Sequence, residues 1–197
     1  MTTLSNHLRA SVLFVLNLLT MLPLKKNRVL EYPYKTLIGK LMKFIILVVA
    51  IALTIFYFAR NSINKKEAVE NIAIGKDFLA KNKTIEGVIE TASGLQYQVL
   101  QKGEGSEHPS ASTKVKVHYH GTLLDGTVFD SSVERDEPIN FPLNQVIKGW
   151  TEGVQLMVVG DKFKFFIPSE LGYGNRATGK ITSGSLLIFE VTLLDIQ

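Results

Sequence analysis

Phe44 to Ala59, FIILVVAIALTIFYFA, is sixteen residues without a charge, and it divides whatever this chain folds into. A helix rises 1.5 Å per residue, so about 20 apolar residues cross the hydrocarbon core of a bilayer. Counting Leu41 and Met42, with Lys43 reaching back to the interface along its aliphatic stem, the run approaches that length. We expect a transmembrane helix over residues 41–60. The competing reading is a cleaved signal sequence, since Met42-Lys43 before an apolar run has that shape. Tyr57-Phe58-Ala59 offers no small-x-small cleavage site before Arg60, so an uncleaved anchor fits better. Met1 and Met42 both remain open as the initiator, the second making residues 1–41 an over-extended reading frame.

Charge follows the same division. Through Lys66 there are ten Lys or Arg and one acid, a net +9, whereas the rest carries twelve bases and seventeen acids, a net −5. The basic isoelectric point therefore belongs to the membrane-proximal end. Nucleic acid is not an expected partner, because it requires a basic stripe on the folded domain. Lys25, Lys26, Arg28, Lys35, Lys40 and Lys43 flank the run and favour the cytoplasmic side. The expected place is an inner membrane, with everything after Arg60 in the periplasm. Ala10 to Leu24, interrupted by Asn17 and Pro23, is either a second span or a buried or interfacial helix, so the anchor is single-pass or two-pass. With no cysteine there is no disulfide framework.

Beyond the anchor, Ser62 to Lys83 carries Val69, Ile72, Ala73, Ile74, Phe78 and Leu79 at spacings of an amphipathic stalk helix capped by Ser62. It could pack on its own domain, on the membrane or on a partner helix. Residues 61–90 are read as this stalk, and 91–197 as a domain. Thr91 to Lys102 alternates Leu95, Tyr97 and Val99 as a first strand. From Lys114, Val115, Val117 and Tyr119 point one way and Lys116, His118 and His120 the other. Leu124-Asp125-Gly126-Thr127 reads as a hairpin turn. Ile147 to Met157 places Trp150, Val154 and Met157 on one helix face. Lys162 to Ile167 and Ser185 to Ile196 are two further strands, with Leu187, Phe189, Val191 and Leu193 on one side of the last. The order describes an α+β fold, an antiparallel sheet curled around one short helix. His118 and His120 superficially suggest a metal, but two ligands do not make a site. Gly172 and Gly174 are not followed by the Gly-Lys-Ser of a phosphate loop.

Val117-His118-Tyr119, Gly121-Thr122-Leu123, Asp125-Gly126, Val128-Phe129-Asp130-Ser131-Ser132, Val146-Ile147-Lys148-Gly149-Trp150 and Glu170-Leu171-Gly172-Tyr173-Gly174 together resemble the FKBP-type peptidyl-prolyl cis-trans isomerases. The resemblance spans about Ser93 to Ile196. It implies the same fold, an isomerase acting on proline-containing polypeptides, macrolides as ligands of the same pocket, and neither metal nor cofactor. It also raises the prospect of a homodimer through the N-terminal helices. By the matching motifs, Tyr119, Phe129, Val146, Ile147, Trp150, Tyr173 and Phe189 would line the proline pocket, with Trp150 as its floor. Ile147 N–H and the Tyr173 hydroxyl would hold substrate carbonyls. Asp130 would polarise or orient the twisting amide, aided by Tyr119 and by Arg135 as charge partner.

Two departures from the family pattern affect the pocket. Ile139 stands where many relatives have an aromatic, and Phe141 would take part of that role. Lys180-Ile181-Thr182-Ser183-Gly184 replaces a proline-rich run, leaving Ile181 as the pocket contact. Loss of those prolines is expected to free the loop. A non-catalytic chaperone or adaptor that holds proline-containing segments is the alternative to catalysis.

Overall fold

A computed structural model describes residues 33–197; Ala10 to Leu24 and the basic segment up to Glu31 lie outside them. One helix, α1, runs from Pro33 to Asn82. Two compact units divide within it, between Ala52 and Leu53. The apolar stretch is long enough to cross a membrane, and side chains such as Leu41, Phe44, Leu47 and Ile51 are exposed. α1 is unbroken at Ser62, which therefore caps nothing. A cap residue needs non-helical backbone angles, and good helix formers such as Lys65, Lys66, Glu67 and Ala68 carry the helix onward.

The second unit is built on a sheet of seven strands among the described residues: β1 (Val88–Glu90), β2 (Gln96–Gln101), β3 (Lys114–Thr122), β4 (Val128–Ser131), β5 (Ile139–Pro142), β6 (Lys162–Ile167) and β7 (Leu187–Ile196). Their order is β1-β2-β6-β7-β3-β4, with β5 also on β3, and each pairing is antiparallel. β3 alternates as its sequence requires, with Val115 and Val117 fully buried. Leu187, Phe189, Val191 and Leu193 of β7 share the buried side. The first strand is shorter than Thr91 to Lys102, because Gly94, at φ +85°, turns the chain just before β2. β1, a three-residue edge strand mostly exposed, has no pattern long enough to read. The β3–β4 hairpin turns as expected, with Gly126 at φ +84°.

A short helix, α2 (Lys148–Val154), covers the concave face. Two glycines one helical turn apart let it lie close: a Cβ at Gly149 would be 2.5 Å from Ile167, and one at Gly153 would be 2.6 Å from Phe165. Trp150, Val154 and Met157 then enter one core with Leu95, Phe163 and Phe165.

The other sheet face is covered by the end of α1. Leu79 packs with Phe166 and Leu186, and Phe78 meets Phe166 at 5.7 Å between ring centroids. Buried Gln96 donates to the Leu79 carbonyl at 2.9 Å, which also accepts from Lys83 N at 3.1 Å, and accepts from Asn82 at 2.8 Å. The inward side of α1 differs from the apolar reading. Val69 and Ile74 point outward at 70% and 51% exposure, while Ala68 and Gly75 are buried.

Candidate active site

Curling the sheet around α2 brings five aromatic side chains from separate elements to one cavity of about 590 Å³: Tyr119 of β3, Phe129 of β4, Phe141 of β5, Trp150 of α2 and Phe189 of β7. Their ring centroids are 5.4 Å apart for Tyr119–Trp150, 5.2 Å for Phe129–Phe189, 5.4 Å for Phe141–Trp150 and 5.1 Å for Trp150–Phe189. Most of these contacts are edge to face, an arrangement the ring quadrupoles favour. Trp150, 5% exposed, touches three of the other rings and forms the base. Its indole Nε1 is buried without a hydrogen-bond partner among the described residues. Gly121 makes the aromatic approach feasible, since a Cβ there would lie 2.7 Å from the Phe129 ring and 2.9 Å from Phe189.

Asp130 sits at the rim in a three-way arrangement. It accepts a short hydrogen bond from the Tyr119 hydroxyl, and Arg135 Nη1 donates to its other oxygen at 2.5 Å. Arg135 Nη2 also donates to the Tyr119 hydroxyl at 3.2 Å. Partial burial pushes the Asp130 carboxyl upward, but hydrogen bonds from Tyr119 and Arg135 and the guanidinium charge outweigh it, holding the group below the usual carboxylate range. Burial, followed by the bond to Asp130, raises the Tyr119 phenol above its ordinary value. The bonds to Asp130 and Tyr119 make Arg135 a still weaker acid. Thus the rim presents a fixed carboxylate, with the phenol proton committed to it.

The structure places Val146, Ile147, Tyr173 and Ile181 on the cavity wall as well, together with Ile139 and Phe141. Arg135 is the one expected site residue outside the lining, and it touches the site through Asp130 and Tyr119. Tyr173 is 41% exposed at the mouth. His118 and His120 lie behind the site: His118 Nδ1 is 2.9 Å from Ser132 Oγ, which also accepts from Tyr119 N at 2.8 Å, and His120 Nδ1 is 3.0 Å from Ser131 Oγ. The serines after Asp130 thus fix β4 against β3.

Gln145, Thr178, Gly179 and Lys180, which no motif marks as contacts, also line the cavity. A readable signal existed for the last three: Gly179-Lys180 is a two-residue turn, with Gly179 at φ +55° and reciprocal 2.9 Å bonds between Thr178 and Ile181. This loop, expected to be freed by the loss of prolines, carries hydrogen bonds at both ends. Lys180 Nζ donates to Val128 O at 2.9 Å, and Gly184 N to Gly174 O at 2.9 Å.

Comparison with known proteins matches residues 105–194 to the FKBP-type peptidyl-prolyl cis-trans isomerase family, and residues 51–99 to the domain amino-terminal to such isomerases. The chain is 60% identical over 132 residues to the FKBP-type peptidyl-prolyl cis-trans isomerase FkpA of Aeromonas hydrophila, an alignment covering 67% of this chain and 49% of that one. It is 52% identical over 125 residues to the FKBP-type 22 kDa isomerase of Escherichia coli K12, covering 63% and 60%. It is 44% identical over 133 residues to the outer membrane protein MIP of Legionella longbeachae, covering 67% and 57%. The aligned region thus spans about half the length of the curated relatives it matches. Among solved structures, FkpA from E. coli superimposes with a TM-score of 0.66 at 35% identity, over 98% of this chain and 82% of that one. A peptidyl-prolyl isomerase from Pseudomonas syringae pv. tomato gives 0.61 at 34% identity, over 66% and 96%.

Proposed function

Because this chain belongs to the FKBP-type peptidyl-prolyl cis-trans isomerase family, we propose that it catalyses rotation about X-Pro bonds and so assists the folding of proline-containing polypeptides outside the cytoplasm. The uncatalysed rotation faces a barrier of about 18–20 kcal/mol, arising from lost amide resonance. The planar amide carries charge separation that water stabilises, and the twisted amide carries less. A cavity walled by six aromatic rings therefore favours the twisted form relative to the planar one once the proline ring is seated on Trp150. The same cavity is the seat for macrolide ligands.

The observation that carries this reading is the rim carboxylate. Asp130, kept ionised by Tyr119 and Arg135, places a fixed negative charge beside the aromatic cup. It acts on the rotating amide by electrostatic orientation, with Tyr119 and Arg135 holding it in place. Ile147 N–H and the Tyr173 hydroxyl are assigned to substrate carbonyls. Phe129, Phe141, Val146, Ile181 and Phe189 form the walls.

Residues 41–60 form the membrane anchor in this reading, with the basic flank in the cytoplasm and the isomerase domain in the periplasm. It is supported by the uncharged run Phe44 to Ala59 and by the length of α1. Extraction from membranes by detergent but not by high salt or alkali, with protease sensitivity after the outer membrane is opened, is the expected behaviour.

The catalytic test is X-Pro isomerisation by the full chain in detergent. Wild type is expected to accelerate the exchange. Asp130→Ala should lower kcat/KM about tenfold, corresponding to about 1.4 kcal/mol at the transition state. Tyr173→Phe should cost about 2- to 10-fold, the worth of one neutral hydrogen bond. Binding of a proline peptide with exchange left at its spontaneous rate would instead assign the groove to a holding chaperone.

A further inference from the structure

The loop that walls the cavity is held from behind by the helix that leads out of the membrane. Asn71 of α1 donates from Nδ2 to Ser183 O at 2.8 Å and to Thr182 Oγ1 at 3.0 Å. Gly184, at φ +77°, lies so close to α1 that a Cβ there would be 2.4 Å from the Ala68 carbonyl oxygen. Ala68 and Ser183 are both buried in this contact. Immediately before it in sequence, Ile181 lines the cavity at 5% exposure. On the cavity side, Lys180 reaches Val128 O, the residue preceding Phe129 and Asp130. A continuous set of contacts therefore leads from Asn71 through Thr182 and Ser183 to Ile181 and Lys180.

We propose that Asn71 is a positioning residue for the isomerase site: its amide fixes the Thr178–Ile181 wall, and so sets which side chains beside the proline the cavity accepts. This rests on the isomerase reading above, but its physical content is separate. A two-donor amide on a rigid helix determines the depth of a wall that has no strand of its own. Asn71 touches none of Tyr119, Asp130 or Arg135, so its removal leaves the rim carboxylate intact. Substrate fit should change while turnover of the bound peptide does not.

The test uses the full chain in detergent, comparing wild type, Asn71→Ala and Gly184→Ala. The second variant forces the same loop off α1 from the opposite partner. Hydrogen exchange in a peptide covering residues 176–184 is expected to quicken in both, by about 2- to 12-fold for each net hydrogen bond lost, with strands β3 and β7 unchanged. Affinity for proline peptides, read by Trp150 fluorescence, should fall by a similar factor. KM should rise with kcat held, and the ranking of peptides differing in the residue before proline should flatten. A purely structural role for Asn71 would lower the melting temperature while leaving KM, ranking and the local exchange at wild-type values; that result would overturn the proposal. If wild type itself fails to accelerate exchange, the isomerase reading fails. Local exchange and peptide affinity still decide the positioning role, and unaltered values of both would sink it.

Discussion

Gly121→Ala tests the packing of the cavity with a single added carbon. Gly121 pairs across the sheet with Phe189 on one side and Asp130 on the other. The new Cβ would sit 2.7 Å from two atoms of the Phe129 ring and 2.9 Å from Phe189. Carbon atoms in contact prefer about 3.5–4.0 Å, so the rings must retreat by roughly 1 Å. Phe189 is held against Trp150 at 5.1 Å between centroids, so Phe129, which is only partly buried, has more freedom to move. Overpacking of this kind costs about 1–3 kcal/mol. A domain of ordinary stability, about 5–15 kcal/mol, stays almost wholly folded after such a loss. A displacement of about 1 Å at a reacting site costs on the order of 100-fold in rate. We therefore expect kcat/KM to fall about 10- to 100-fold in protein that remains folded. Trp150 is the chain's one tryptophan, so its fluorescence reports denaturant unfolding from the cavity itself. Gly126→Ala is the matched control. Its φ is +84° and nothing lies within 4 Å of the added Cβ, so it should cost about 1–2 kcal/mol in backbone strain while leaving kcat/KM alone. Equal activity in the two variants would refute the packing argument.

Trp150→Ala removes the base of the cup and should cost about 3–5 kcal/mol in stability, measured by circular dichroism, together with proline-peptide binding. Retained binding would make Trp150 a core residue only. The pH profile follows from the depressed Asp130 carboxyl. A carboxylate lowered in the folded state adds stability that is present above its unfolded value of about 3.9 and is lost as the pH falls through the folded value. Isomerisation should accordingly be level through neutral pH and decline on the acid side. Arg135→Leu removes a hydrogen bond and a positive charge from Asp130, so the acid limb should move to higher pH. An unmoved limb would detach Asp130 from the rate.

Where burial alternates along a strand, the sequence was sufficient. β3, β7 and the Trp150 face of α2 were legible because a two- or 3.6-residue period records which side meets the core. The inward face of α1 was legible only in part, at Ile72, Phe78 and Leu79. It includes Ala68, Asn71, Ile72, Gly75, Phe78, Leu79 and Asn82, four of them small or polar. A helix that lies this close to a sheet buries residues an apolar count passes over, and at Gly75 a Cβ would already be 3.3 Å from Leu186. The larger apolar residues Val69 and Ile74 then face outward. Ser62 misled for a related reason: a good cap residue is also tolerated inside a helix whose neighbours favour it.

The cavity divides along the same line. Its aromatic walls lie in short motifs, each on one strand or helix, and could be identified one at a time. The Thr178–Ile181 wall depends on contacts across great sequence distances, 52 residues from Lys180 to Val128 and 112 from Asn71 to Ser183. A missing proline is visible in the chain, and it argues for a looser loop because the unfolded ensemble gains conformations. Of the hydrogen bonds that oppose this, the two from Asn71 come from a helix outside the motif-bearing region, so no local pattern announces them. The position of the pocket wall therefore depends on the helix and the sheet together. Its hold should weaken selectively when Asn71 is removed, even though every motif residue is left in place.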